Sequence, residues 1–363
     1  MRAAKAGPWL RVSEVKSKAL LSILIPTFNR PAALQCLLSE FILPVLEFYS
    51  GSIEVLISDN SDRGVQDFNS KLVDQVNQQL KIGNGGDRIR YIRNESNVGY
   101  GRNLVQLFNE SKGCYFWYFS DGDTPSLAGF HEVMKSICRM DADYYSVGFR
   151  VRSAFGLSGV QPALTAPADI LFTENYFIPF MYLCGTIHRR NVKAISYDLR
   201  YENFQQIYIF LLNTNDWNSF KSLPTSVFIL DASEVRRFSS YDTYCAEINV
   251  VKLLATYFRG VGRVGINLML ISAFKKMMWD VIAINAGYLK TECKGAPRVK
   301  ILINLASAIS CKTVFLYSIS IMPRVFQQLF FSFYICRANN ISYFSALRGL
   351  KRAARSSPLE VSP

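Results

Sequence analysis

Short apolar runs, several of them stopping at a polar cluster, alternate with helical patterns over the first 150 residues. That alternation predicts a mainly parallel sheet with helices on its faces. Residues 20–25 form an apolar run closed by Pro26, the pattern of a buried strand. Residues 32–49 repeat apolar positions at helical spacing, with Pro44 expected to kink or end the helix. Residues 53–57 give a second strand, closed by Ser58-Asp59-Asn60-Ser61-Asp62. A polar helix over 65–80 and a third strand over 89–92 follow. A helix over 99–112 comes next, with Gly113 as its expected C-terminal cap. Residues 115–119 form an aromatic fourth strand that runs into Ser120-Asp121-Gly122-Asp123. A helix over 126–140 and a strand over 144–151 complete the unit. Between 152 and 243 the pattern is turn-rich, with the run 180–190 and an apolar stretch at 204–212 as its clearest segments.

The last third differs in charge. The net charge is +13. Residues 1–244 hold 25 Lys and Arg against 24 Asp and Glu, whereas residues 245–363 hold 16 against 4. The basic balance therefore describes that segment's partner rather than the fold. Its pattern is helical to about residue 354, with apolar stretches broken by Lys275, Lys276, Lys312, Arg324 and Arg337. None of these stretches reaches the roughly 18–20 uninterrupted apolar residues of a membrane span. Amphipathic helices lying on an anionic bilayer surface fit this composition, and so does a helical subdomain packed on the core. No nucleic-acid motif accompanies the basic charge. The division expected is an extension over 1–19, a catalytic domain over 20–243, the basic region over 244–355 and a tail over 356–363. The eight cysteines are scattered without a C-x-x-C pair, which excludes zinc spacing and a disulfide framework. Residues 1–12 lack the apolar stretch of a signal peptide, so a reducing, cytosolic compartment is expected.

In open α/β sheets, ligands sit at the carboxyl ends of strands. Three strands here end in polar clusters: Pro26-Thr27-Phe28-Asn29-Arg30, Asp59-Asn60-Ser61-Asp62 and Asp121-Gly122-Asp123. On neighbouring strands these would converge on one crevice suited to a nucleotide, where Asp accepts from base or ribose and Arg pairs with phosphate. Two carboxylates around a glycine offer hard oxygen ligands to Mg²⁺ or Mn²⁺ bridging the phosphates. The competing reading of Asp121-Gly122-Asp123 is an ordinary turn, and of Asp59 a helix cap or Asx turn. Asn97-Val98-Gly99-Tyr100-Gly101-Arg102-Asn103 opens a helix after a strand, where backbone N–H groups favour an anion.

Taken together, these blocks resemble the family 2 glycosyltransferases of the GT-A fold, with the four motifs in the family's order. They are Ser22-Ile23-Leu24-Ile25-Pro26-Thr27-Phe28-Asn29-Arg30, Ile53-Glu54-Val55-Leu56-Ile57-Ser58-Asp59-Asn60-Ser61, Asn97-Val98-Gly99 with Arg102-Asn103, and Phe119-Ser120-Asp121-Gly122-Asp123. The resemblance covers about residues 20–240. It implies a Rossmann-like α/β domain, a nucleotide-sugar donor, Mn²⁺ or Mg²⁺, and inversion at the anomeric carbon. By position, Pro26, Thr27, Asn29, Arg30 and Asp59 would line the nucleoside pocket, together with Asn60, Asn97, Gly99 and Arg102. Asp121, Gly122 and Asp123 would take the metal–diphosphate, with Asp123 the direct ligand. Where the family shows an all-acidic run, this chain has Gly122.

Family members commonly continue with an Arg-Arg element, a Phe-Asp pair and a Glu-Asp heading a helix, whose Asp is the candidate base. Here Arg189-Arg190, Tyr197-Asp198 and Glu202-Asn203 stand in that order. Asn203 cannot act as a base, which leaves Glu202 first, then Asp198 and His188. Glu202 also suits a carboxylate stabilised by a helix dipole. His131 reads as a surface residue. The acceptor expected is a glycan or lipid-linked oligosaccharide, in surface polysaccharide (O-antigen or capsule) assembly at the inner face of the plasma membrane. Two alternatives are a non-catalytic nucleotide- or sugar-binding protein and a sugar-phosphate nucleotidyltransferase. The second would need a glycine-rich, Lys-containing loop after the first strand, which this chain lacks.

Overall fold

A computed structural model describes residues 19–49, 51–84, 88–153, 156–157, 183–214, 219–232 and 326. The expected extension before residue 19 and the basic helical region after 244, apart from Phe326, lie outside the described residues.

The strands are β1 (Leu21–Thr27), β2 (Ile53–Asp59), β3 (Ile89–Arg93), β4 (Tyr115–Tyr118), β5 (Thr124–Pro125), β6 (Tyr144–Ser153), β7 (Gly156–Leu157), β8 (Thr186–Arg189) and β9 (Phe220–Ala232). They form one sheet in the order β3-β2-β1-β4-β8-β6-β9-β5, with β7 on β6. The half built from β3, β2, β1 and β4 is parallel throughout. The other half is mixed: β8 runs antiparallel to both β4 and β6, whereas β9 lies parallel to β6. The sequence pattern predicted the first half and β6 but not β8 or β9, because a parallel strand buried on both faces is near-continuously apolar.

Helices cover both faces. They are α1 (Pro31–Phe48), α2 (Arg63–Asn84), α3 (Tyr100–Glu110), α4 (Leu127–Ile137) and α5 (Gln205–Asn213). Alternate residues of β1 separate the two cores. Leu21, Ile23 and Ile25 join α1, α2 and α4 on one side, while Leu24 joins Leu104, Leu107, Phe108 and Ile209 on the other. The aromatic strand β4 divides likewise, with Tyr115 and Trp117 to the first side and Phe116 and Tyr118 to the second. Its polar tips are paired: Tyr115 Oη donates to Ala142 O, Trp117 Nε1 to Cys184 O and Tyr118 Oη to Leu104 O, at 2.7–2.9 Å. These pairings let large rings be buried without an orphaned polar group.

Two local departures from the expected elements have clear causes. Residues 31–48 form one helix through Pro44, because a π-helical turn at Leu38–Ile42 precedes the proline. Leu43 N–H reaches back to Leu38 O, five residues earlier. The widened turn gives room to a residue that lacks an N–H and crowds the carbonyl four positions before it. This helix is long and apolar enough by composition to cross a membrane, yet Leu34, Leu37, Leu38, Phe41, Ile42, Val45 and Leu46 are buried in the first core. Gly113 does not cap α3, which ends at Ser111 in extended geometry. It lies instead against β1, where an added Cβ would stand 2.5 Å from Ser22 Oγ and 2.7 Å from Ser22 N.

Pro26 sits inside β1 rather than after it. Tyr115 N bonds Leu20 O and Phe119 N bonds Leu24 O, so even-numbered residues of β1 face β4. The paired register with β4 ends at Leu24 and Tyr118, so the N–H that Pro26 lacks has no ladder partner to lose. The strand thereby reaches Thr27, in register with Asp59 of β2.

Candidate active site

The carboxyl ends of β1, β2 and β4 meet at one edge of the sheet. Asp121, just past β4, is 5% exposed and accepts from Thr27 Oγ1 on Oδ2 and from Arg30 Nη1 on Oδ1, both at 2.8 Å. Arg30 stands just before α1 as its N-cap, and its side chain keeps 37% exposure while paired. Its guanidinium crosses the turn so closely that a Cβ on Gly122 would lie 2.7 Å from both terminal nitrogens. A side chain at 122 would therefore make the Arg30 guanidinium shift from its place over the turn. Asp123 closes the turn, with its N–H on Ser120 O and its Oδ2 accepting from Ser120 N at 3.2 Å. Beneath it, burial and the Asp123 carboxylate keep the Cys184 thiol protonated, well above its ordinary range.

The end of β2 is knitted more tightly than the sequence predicts. Asp59 is 0% exposed, and its carboxylate takes Ser61 N at 2.7 Å, Asn69 Nδ2 at 2.7 Å and Tyr91 Oη at 2.6 Å. A nucleoside reaching Asp59 would have to displace one of these donors. Burial and the hydrogen bond to Asp59 push the Tyr91 hydroxyl far above its ordinary range, so it stays a donor. Asn29 adopts φ 51°; its side chain donates to Asp62 Oδ2 and accepts from Asp62 N, while its N–H donates to Ser61 Oγ at 2.7 Å. Asn60 donates to Gly99 O at 3.1 Å and accepts from Asn94 at 2.7 Å. Asn94, Asn69 and Tyr91 were not among the expected site residues. Asn94 stands just past β3, so the strand-end rule applied to the fourth parallel strand would have found it.

The N-terminus of α3 carries Asn97, Gly99 and Arg102. Gly99 has φ 87° and its N–H donates to Asn97 Oδ1 at 3.0 Å. The anion at this helix start is internal. Glu202 Oε1 accepts from Gly101 N at 2.8 Å, and Oε2 accepts from Tyr197 Oη at 2.6 Å. Arg102 lies over the Tyr197 ring at 4.9 Å. Burial and the Glu202 contact push the Tyr197 hydroxyl up to about 12. Glu202 belongs to a 3₁₀ segment, Leu199–Phe204, capped by Asp198. Asp198 is held by the Arg200 guanidinium, with 2.6 Å between Arg200 Nη2 and Oδ2, and that pairing lowers its pKa. At the other end of α3, Arg190 Nη1 donates to Phe108 O and Ser111 Oγ at 2.5 Å, and the guanidinium stacks on Phe108.

His188 lies apart from this edge, within β8, among Phe116, Tyr144 and Phe210. Its Nε2 meets Thr186 Oγ1 at 2.8 Å and its Nδ1 has no partner. Burial pushes its pKa down to about 3. A ring kept neutral in the fold but protonated when unfolded makes stability fall as pH drops from about 6.5 toward 3. Urea unfolding should show this as a cost of about 2 kcal/mol at pH 5 relative to pH 8, absent in H188F. Equal pH slopes for the two proteins would refute it. His131 is half-buried, with Nδ1 2.6 Å from Tyr49 Oη.

Among the described residues no group of three or more His, Cys, Asp and Glu is placed to hold a metal by itself. Mg²⁺ and Mn²⁺ do not need such a cage at phosphate sites, where one or two carboxylates serve with substrate phosphates and water. The partly exposed Asp123 fits that requirement. Asp121 adds a second carboxylate already engaged by Arg30.

Residues 22–194 match the family described as "Glycosyl transferase family 2". The match covers 173 of the 363 residues, and over them the chain is similar to glycosyl transferase family 2. The matched residues span the three strand ends and the start of α3. Among solved structures, the chain is similar to S. aureus TarS residues 1–349, with a TM-score of 0.53, 13% identity, and 93% of this chain and 89% of that one covered. The same fragment "in complex with UDP-GlcNAc" gives 0.52 and 12%, covering 93% and 90%. A longer TarS gives 0.56 and 14%, covering 82% and 52%. At these identities the likeness establishes the GT-A fold alone. No curated protein matches the sequence significantly.

Proposed function

We propose that this glycosyltransferase is metal-dependent and moves a sugar, with inversion, from a nucleotide-sugar donor to a hydroxyl of a glycan or lipid-linked oligosaccharide. The observation that carries the reading is the meeting of Arg30, Asp121 and Asp123 at the end of β4. Asp123, with Asp121 behind it, would hold Mg²⁺ or Mn²⁺. The metal supplies Lewis-acid neutralisation of charge on the departing nucleoside diphosphate. Arg30 keeps exposed N–H groups for the diphosphate while Asp121 fixes its position. Thr27, Asn29 and Asn60 shape the wall on the nucleoside side, and the Asp59 network beneath keeps that wall in place. The sugar–diphosphate bond breaks, the new glycosidic bond forms, and the acceptor hydroxyl proton passes to a carboxylate. Residues 197–202 offer two, Asp198 and Glu202. The UDP-GlcNAc complex of TarS supports a nucleotide-sugar donor. Thermal-shift measurements with a panel of nucleoside diphosphates test the reading. One base should raise Tm by several degrees with Mn²⁺ present and much less without it. No shift with any base would count against it.

The basic composition of residues 245–363 supports attachment to an anionic membrane surface, at the inner face of the plasma membrane, where surface polysaccharide precursors are assembled. Flotation with anionic vesicles but not with neutral ones is expected, and equal flotation with both would refute electrostatic attachment.

A further inference from the structure

We infer that Glu202 is a positioning residue, a clamp that fixes the start of α3 between the nucleotide side and the 197–204 segment, rather than the catalytic base. The inference rests on the donor-binding reading above.

Both oxygens of the carboxylate are committed to protein donors, Gly101 N and Tyr197 Oη. The backbone passes close to the carboxylate. A Cβ on Gly99 would lie 3.0 Å from Glu202 Oε1, and one on Gly101 would lie 2.5 Å from Oε2. Gly99 is moreover at φ 87°, and its carbonyl accepts from Asn60 just past β2. A continuous path thus runs from Asn60 through Gly99 and Gly101 to Glu202 and Tyr197, with Arg102 stacked on the Tyr197 ring.

The helix is held at both ends with the charge its dipole favours. Glu202 is the anion at its N-terminus, and Arg190 is the cation on Phe108 O and Ser111 at its C-terminus. Asn60, which stands on the nucleotide wall, therefore keeps a fixed distance from the segment that carries Asp198. Asp198 makes no bond to α3, and its own oxygens are engaged by the Arg200 backbone N–H and guanidinium. One protein donor on each oxygen turns the Glu202 carboxylate toward Gly101 and Tyr197, the orientation a clamp requires.

The experiment compares E202Q, E202A and G101A on the full chain with donor, Mn²⁺ and acceptor. Glutamine keeps an oxygen for Gly101 N–H and presents N–H to Tyr197 Oη, so E202Q should stay within about fivefold of wild type, with an unchanged pH profile. E202A and G101A should each lose about a hundredfold in kcat/KM through misplacement, with the donor KM raised. If E202Q is as inactive as E202A at normal donor KM, and loses the acid limb of its profile, Glu202 is the base and the clamp fails. If wild type turns over no donor, the catalytic reading fails and the clamp is judged by stability. E202A and Y197F should then be non-additive in a double-mutant cycle, and additivity would overturn it.

Discussion

Replacing Asp123 with alanine is expected to lower kcat/KM at least about a hundredfold while leaving the fold intact. The turn places this carboxylate at the partly exposed edge, against Ser120 N at 3.2 Å and the thiol of Cys184 below. On the proposed reading, its contribution is the charge it would present to a cation at the diphosphate. Loss of such stabilisation is worth several kcal/mol, and each 1.36 kcal/mol is tenfold in rate. Asp121 cannot substitute, because Arg30 and Thr27 occupy its oxygens. The variant should unfold within a degree or two of wild type and bind nucleoside diphosphate without a response to Mn²⁺. Full activity in D123A would remove the metal from Asp123.

Asp59 should show the opposite behaviour, a large loss of stability. Its removal strands the Asn69 amide and Ser61 N–H in a packed corner and leaves the Tyr91 hydroxyl only the longer bond to Gln66 O at 3.1 Å. A stranded buried donor costs about 1–3 kcal/mol, so D59A should lose about 3–5 kcal/mol. For a domain of this size that lowers Tm by roughly 10 °C. D59N should be milder. Asn69 Oδ1 is buried without a partner, and rotating that amide lets it accept from the amide introduced by the D59N substitution. Differential scanning calorimetry separates the two variants, and equal losses would mean that the network is not what stabilises this corner.

What the sequence disclosed followed from local chemistry. An apolar first strand with a polar cluster at its end, a polar cluster after β2 and a turn with two carboxylates after an aromatic strand are short-range signals, and the parallel register brings them together. The partners of those residues are long-range. Tyr91 and Asn69 reach Asp59 only because β3 lies in register with β2 and α2 packs below, which no local pattern records. Glu202 stands 101 residues from Gly101, yet the two glycines at 99 and 101 were its visible trace. Gly113 misled for the converse reason. A glycine after a helix is usually a cap, whereas this one makes room for Ser22 of a neighbouring strand. The antiparallel half of the sheet was illegible because β8 returns beside β4 from a distant part of the chain.

The most direct measurement is release of nucleoside diphosphate from a panel of nucleotide sugars by the full chain, with a lipid-linked or glycan acceptor, in Mn²⁺ or Mg²⁺ and after chelation. The account predicts release from one donor class, dependent on acceptor and on the metal, and lost in D123A. Tight nucleotide binding without turnover of any donor would contradict it.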